Sequence, residues 1–164
     1  KKSETSKAFK LNAKTNGNGK LTYTTSNKSV ATVDANGKVT VKAPGVAKIT
    51  VKAAATTDYK AATKTVTVTV QPKKQSISLV NKIKKQLTIK WKKNSKVTGY
   101  EVVYSANKKF TAKKTVRKAK TTTSYKIKGL KKGKTYYAKV RSYKTVNGKR
   151  IYGAYSTAKK ATIK

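Results

Sequence analysis

Residues 129–144 read GLKKGKTYYAKVRSYK. Side chains alternate across an extended strand, so if Tyr136 points inward, Ala138, Val140 and Ser142 follow it, and Tyr137, Lys139, Arg141 and Tyr143 share the opposite, wet face. That alternation is the mark of a half-buried strand. Tyrosine interleaved with cations is also the make-up of a platform for sugars or anions, because aromatic faces stack and cations neutralise phosphate or carboxylate. The rest of the chain has to say which description governs.

Outward from this stretch the same period of two recurs. Upstream lie QSISLVN, KQLTIKW, TGYEVVYS, KTVRKA and TSYKIKG, and downstream a last segment ending KKATIK. With residues 135–146 these make seven strand-like segments at spacings of about 8 to 15 residues, the layout of an all-β sandwich. In TGYEVVYS, Tyr100, Val102 and Tyr104 face the core, and Glu101 and Val103 face out. Nearer the N-terminus LTYTTSNKSVATVD, GKVTVKA, VAKITVKAAA and TKTVTVTV alternate in the same way. Asn36-Gly37 and Pro44-Gly45 supply the special φ values of tight connections. No helix of any length is predicted. Between the two sets, around VTVQPKKQS (68–76), the pattern stops at Pro72. Two consecutive all-β sandwiches, residues 1–71 and 72–164, are therefore expected, with a short proline linker restricting their mutual orientation.

Charge is the extreme property. The 164 residues hold 42 Lys plus Arg against four acids, a net +38. Only Arg117, Arg141 and Arg150 are arginine. Residues 1–72 carry 13 basic residues against three acids, and residues 73–164 carry 29 against one. Lysine is a hydrated point charge without the fork geometry of guanidinium, so the chain should attract almost any polyanion in a salt-dependent way and select poorly among them. Arginine poverty, and the lack of a helix for the major groove, make nucleic acid a non-specific partner only.

Cysteine and histidine are absent, which removes disulfides, thiolate clusters and imidazole metal sites. No run of about 18 apolar residues is present to insert in a membrane. The start at Lys1 and the lack of Met point to a fragment or processed segment.

Residues 20–51, KLTYTTSNKSVATVDANGKVTVKAPGVAKITV, resemble a bacterial immunoglobulin-like domain of group 2. The carriers are Ser26, Asn27, Val30, Ala31, Val33, Gly37, Gly45, Ala47 and Ile49. Little sequence precedes Phe9, so the family's first strand is expected to be missing or shortened. Residues 75–164 resemble a fibronectin type III domain of Gram-positive bacterial surface and secreted proteins, through Trp91, GYEVVYS, and Leu130, Gly133 and Tyr136. The last three match the family's tyrosine corner, which implies a Tyr136 ring inside and its hydroxyl bonded to backbone near Leu130. The resemblance implies an extracellular location, cell-surface or secreted, and a role as spacer, stalk or adhesive module beside the other domains of a larger parent protein.

Neither catalysis nor a cofactor is indicated. Glu4, Asp34, Asp58 and Glu101 fall on different segments, whereas a paired-carboxylate hydrolase needs two that converge. Asp34, just before Asn36-Gly37, reads as a turn residue. Glu101, alone in its domain, should pair with a neighbouring cation. The Lys–Asn isopeptide cross-link of some Gram-positive surface domains needs a buried acid that this chain can hardly supply. The candidate binding face is Tyr137, Lys139, Arg141 and Tyr143, with Arg150 and Tyr152 on the adjoining last strand. The competing description of that strip is a solvated sheet face with lysines guarding its edges. Three functions stand side by side: electrostatic docking on anionic cell-wall polymers such as teichoic acids or on acidic glycans, a carbohydrate-binding module built on the tyrosines, or a purely structural stalk.

Overall fold

The computed structural model describes residues 1–164 and contains no helix. The chain divides into two compact units, Lys1–Gln71 and Pro72–Lys164.

The first unit has seven strands: β1 (Lys2–Ser3), β2 (Phe9–Lys10), β3 (Leu21–Thr25), β4 (Ala31–Val33), β5 (Lys38–Val41), β6 (Gly45–Ala53) and β7 (Ala62–Gln71). One sheet runs β1-β7-β6-β3 and the other β2-β5-β4. On β6 burial alternates residue by residue, so Ala47, Ile49, Val51 and Ala53 face inward. Ala47 and Ile49 meet Val30, Ala31, Val39, Val68 and Val70 in a core made almost wholly of β-branched and small side chains. The first strand is neither missing nor whole. Its two short pieces divide between the sheets, β1 lying parallel to β7 and β2 antiparallel to β5.

Asp34 closes the β4–β5 hairpin: its Oδ1 accepts from the backbone N–H of Asn36 and of Lys38, both at 2.9 Å. Gly37 follows at φ 73°, a left-handed value costly for any residue with a Cβ, and a Cβ there would sit 2.8 Å from the Tyr23 ring. Glycine is required on both counts.

The second unit has eight strands: β8 (Ile77–Val80), β9 (Leu87–Trp91), β10 (Gly99–Ser105), β11 (Lys114–Ala119), β12 (Ser124–Ile127), β13 (Thr135–Val146), β14 (Lys149–Tyr152) and β15 (Lys159–Thr162). One sheet is β12-β9-β8; the other is β11-β10-β13-β14, with β15 also on β13. Trp91 and Tyr100 lie tilted with ring centroids 5.4 Å apart at the heart of the core, among Leu87, Ile89, Val102 and Val140. Eight strands stand where the period predicts seven. Asn147 and Gly148, at φ 48° and 72°, make the tight hairpin that creates β14.

The corner near Leu130 also differs from expectation. The Tyr136 ring packs half-buried on the core. Backbone, however, ties the turn down: Leu130 N–H donates to the Lys85 carbonyl oxygen (3.0 Å), Gly133 N–H donates to that of Ile163 (2.8 Å), and no bond joins the Tyr136 hydroxyl to this turn.

Candidate functional site

The register of the five-stranded sheet places all six candidate residues on its outer face. Tyr143 stands opposite Gly99 and Tyr152, Arg141 opposite Glu101, Lys139 opposite Val103, and Tyr137 opposite Ser105 and Lys160; Arg150, two residues before Tyr152, shares its face. On the other side of β10, Glu101 stands opposite Arg117. One cross-strand row therefore reads Arg117, Glu101, Arg141, a carboxylate between two guanidiniums.

This face is not the wet strip the alternation suggests. Glu101 is 3% exposed, Val103 1% and Tyr143 9%. A segment that sequence reasoning passed over supplies the cover. Between β14 and β15 the chain stays beside β13, with Gly153 N–H donating to the Ser142 carbonyl oxygen, Ser156 N–H to that of Val140, and Val140 N–H to Ser156 Oγ. The stretch is irregular, and it lays Tyr155 across the sheet. The Tyr155 hydroxyl donates to Glu101 Oε1 at 2.7 Å.

Glu101 thus has a full set of partners. Arg141 donates from Nε (2.9 Å) and Nη2 (2.7 Å) to Oε1, and Arg117 Nη2 lies 3.2 Å from Oε2. Burial alone would push the Glu101 carboxyl up; the Tyr155 and Arg141 hydrogen bonds and the charges of Arg141 and Arg117 outweigh it and hold the group below its usual value. Burial and the bond to Glu101 push the Tyr155 phenol up to about 12. The expected cation pairing of Glu101 is present, with arginine as the partner.

The aromatic faces are also occupied from within. The Arg141 guanidinium lies 3.7 Å from the Tyr152 ring centroid and 4.4 Å from that of Tyr155. Arg150 sits 5.5 Å over Tyr143, which packs on Tyr152 at 5.8 Å. The Lys139 ammonium lies 4.2 Å from the Phe110 ring and 4.7 Å from Tyr155. All three arginines of the chain belong to this layer, in the positions where a planar, forked cation is worth most. Close packing at its end explains Gly99, where a Cβ would meet the Lys118 carbonyl oxygen and come within 2.8 Å of the Tyr143 hydroxyl. Of the six residues, Tyr137 alone keeps an uncapped ring, beside a shallow 280 Å³ depression lined with Lys108, Ala158 and Lys160.

No group of three or more His, Cys, Asp or Glu side chains is placed to hold a metal ion. Glu4, Asp34 and Asp58 fall on three separate connections of the first unit, and Glu101 already accepts from Arg141, Tyr155 and Arg117. Lysine dominates the remaining surface, and every lysine except Lys2, Lys118, Lys139 and Lys144 is exposed.

The fibronectin type III family model matches residues 70–157, more than half of the chain. The chain belongs to the fibronectin type III family. Ahead of the fibronectin type III domain, residues 5–56 match the immunoglobulin-like domain of intimin, so an intimin-type bacterial Ig-like domain precedes it. A two-domain fibronectin type III segment of chicken tenascin superposes with a TM-score of 0.61 at 15% identity, covering 87% of this chain and 82% of that one. The FN1-FN3 domains of chicken CNTN1 give 0.48 at 20% identity; there this chain is covered to 79% and spans 46% of the other. At such identities the likeness is one of fold. No curated protein sequence matches the chain. Both module types are non-catalytic and typical of extracellular adhesion or accessory regions, and no catalytic family is found.

Proposed function

We propose that the chain is a non-catalytic accessory module of a Gram-positive surface or secreted protein. In this reading residues 1–71 are a group 2 bacterial Ig-like domain and residues 72–164 a fibronectin type III domain, and their lysine-rich surface docks the parent protein on anionic cell-wall polymers or acidic glycans. One observation carries the proposal: a net charge of +38, most of it carried by exposed lysines, with four acids in the whole chain to neutralise them. Ammonium groups in water on a rigid scaffold form a long-range attractive field without geometric selectivity.

The carbohydrate-stacking alternative loses ground to the same layer that gives the domain its order. Arg141, Tyr143 and Tyr152 are engaged with one another and with Glu101, so their faces are spent before a sugar arrives. Tyr137 and Arg150 remain on the rim, where they add contacts to a polymer already held by charge.

The test is sedimentation with purified walls, with wall polymers stripped of phosphate, and with neutral glycan, at about 50 mM and about 400 mM NaCl. Each neutralised phosphate steepens the salt dependence by nearly one unit of log K per log salt. Association should therefore collapse at the higher salt and vanish with the phosphate. Binding indifferent to salt, or equal on neutral glycan, would overturn electrostatic docking.

A further inference from the structure

The first unit holds a feature that polymer docking does not use. Strand β7 is the longest of its sheet, yet β1 covers its outer edge only at Val70 and Gln71. Glu4 N–H donates to the Gln71 carbonyl oxygen at 2.9 Å, so the backbone groups of Gln71 point to that edge. Backbone groups alternate sides along a strand, so those of Thr63, Thr65 and Thr67 point the same way, and no strand pairs with them. Beside this open edge the sandwich is unfilled. A groove of about 650 Å³ lies between residues 11–16 and the inner face of the sheet, floored by Leu11, Leu21, Val51 and Val66. Val66 is 37% and Tyr59 50% exposed, two of the three large hydrophobic side chains left exposed in the chain.

Pairing with β6 fixes which β7 side chains face the groove: Val66 is opposite Ile49 and Lys64 opposite Val51, on the buried face. Lys64 therefore points inward at a sheet edge. An inward charge repels generic strand pairing, including pairing with a second, equally cationic copy. It also defines what is admitted. We propose that the β7 edge is a strand-addition site for an extended peptide of another protein, one that places an acidic side chain opposite Lys64 and an apolar one, two residues away, opposite Val66. Main-chain bonds to Thr63, Thr65 and Thr67 hold the peptide, and the groove takes its apolar side chain. Lys14 and Lys60, which also line the groove with no acid among their neighbours there, reinforce the choice of an acidic strand.

The probe is acetyl-Thr-Val-Thr-Glu-Thr-Val-Thr-amide, titrated into the whole chain and followed through backbone amide resonances at about 200 mM salt to suppress diffuse attraction. Saturable shifts centred on Thr63, Thr65 and Thr67, with slowed amide exchange there, are the expected result. A matching peptide with Lys in place of Glu should bind roughly fivefold or more weakly, and Lys64→Glu should reverse that preference, since a cross-strand attraction becomes a repulsion. Thr67→Pro removes an N–H that only the edge presents, and should abolish binding while leaving the dispersion of the spectrum intact. Shifts scattered over exposed lysines, unchanged binding by Thr67→Pro, or a Lys64→Glu chain that keeps the Glu peptide would each overturn the proposal. If Thr67→Pro does not fold, the charge reversal alone decides.

Discussion

Glu101→Gln is the most informative single change, because it keeps shape and removes only the charge at the centre of the outer layer. The carboxylate is 3% exposed and accepts from Arg141 twice, from Tyr155 once, and pairs with Arg117. Removing one partner of a buried ion pair costs about 3–5 kcal/mol. Here Arg141 keeps 25% of its side chain in water and Arg117 keeps 50%, so part of the uncompensated charge resolvates and about 2–3 kcal/mol remains. For a domain of this size that is a fall in Tm of roughly 8–24 °C. Trp91 is the only tryptophan and is buried in this domain's core, so its fluorescence reports this unfolding transition without interference from the Ig-like domain. A Trp91 midpoint that moves by less than about 3 °C would refute the assignment of Glu101 as the electrostatic centre of the fold.

The pH dependence should carry the same signature at both ends. Glu101 is held below its ordinary value, so its contribution is complete above the unfolded value of about 4.3 and drains away as pH falls through the folded one; Glu101→Gln should flatten that acid limb in Trp91-monitored urea titrations. Tyr155, pushed up to about 12, contributes fully below about pH 10 and loses that contribution as pH rises toward 12, and Tyr155→Phe should lessen the alkaline decline, to which the buried phenols of Tyr100 and Tyr104, also pushed up, contribute the rest. Tyr152→Ala, which strips a ring from Arg141 and from Tyr143, should lower domain stability by about 2 kcal/mol or more, whereas Tyr137→Ala should stay within about 1 kcal/mol in the same titration.

Period two was enough to find most strands, and to group the six candidate residues on one face, because both follow from local backbone geometry. The turn role of Asp34 was legible for the same reason. Exposure was not. Glu101, Val103 and Tyr143 alternate like solvent-facing residues, yet Tyr155, more than 50 positions away, covers Glu101, and Tyr152 and Arg150 pack on Tyr143. The signal for it was weak but present: GAYSTA (153–158) breaks the alternation with small residues just where the chain leaves regular pairing with β13. Asn147-Gly148 was a stronger signal, a hairpin dipeptide just after the long strand that ends at Val146, and it creates the β14 that carries Arg150 and Tyr152. Tyr136 shows the reverse error, in which a family pattern suggested a hydroxyl bond that backbone pairing at Leu130 and Gly133 makes unnecessary.

The distribution of cations argues that folding and field are assigned to different residues. Three arginines surround or adjoin one buried glutamate, while 39 lysines carry the rest of the charge. Arg141→Lys tests this division, since it preserves net charge and therefore the long-range field. An ammonium cannot make both the Nε and Nη2 bonds to Oε1, nor offer a planar face to the Tyr152 and Tyr155 rings, so one charge-assisted bond and much of the two ring contacts are lost. About 1–2 kcal/mol should disappear from domain stability, with wall-polymer affinity unchanged at any salt concentration where the domain stays folded. Replacing an equal number of exposed lysines by glutamine should do the opposite, flattening the salt dependence of binding while the Trp91 transition stays put. If Arg141→Lys proves silent in stability, or weakens polymer binding as a lysine loss would, then guanidinium geometry is irrelevant to the layer and the two tasks are not separate.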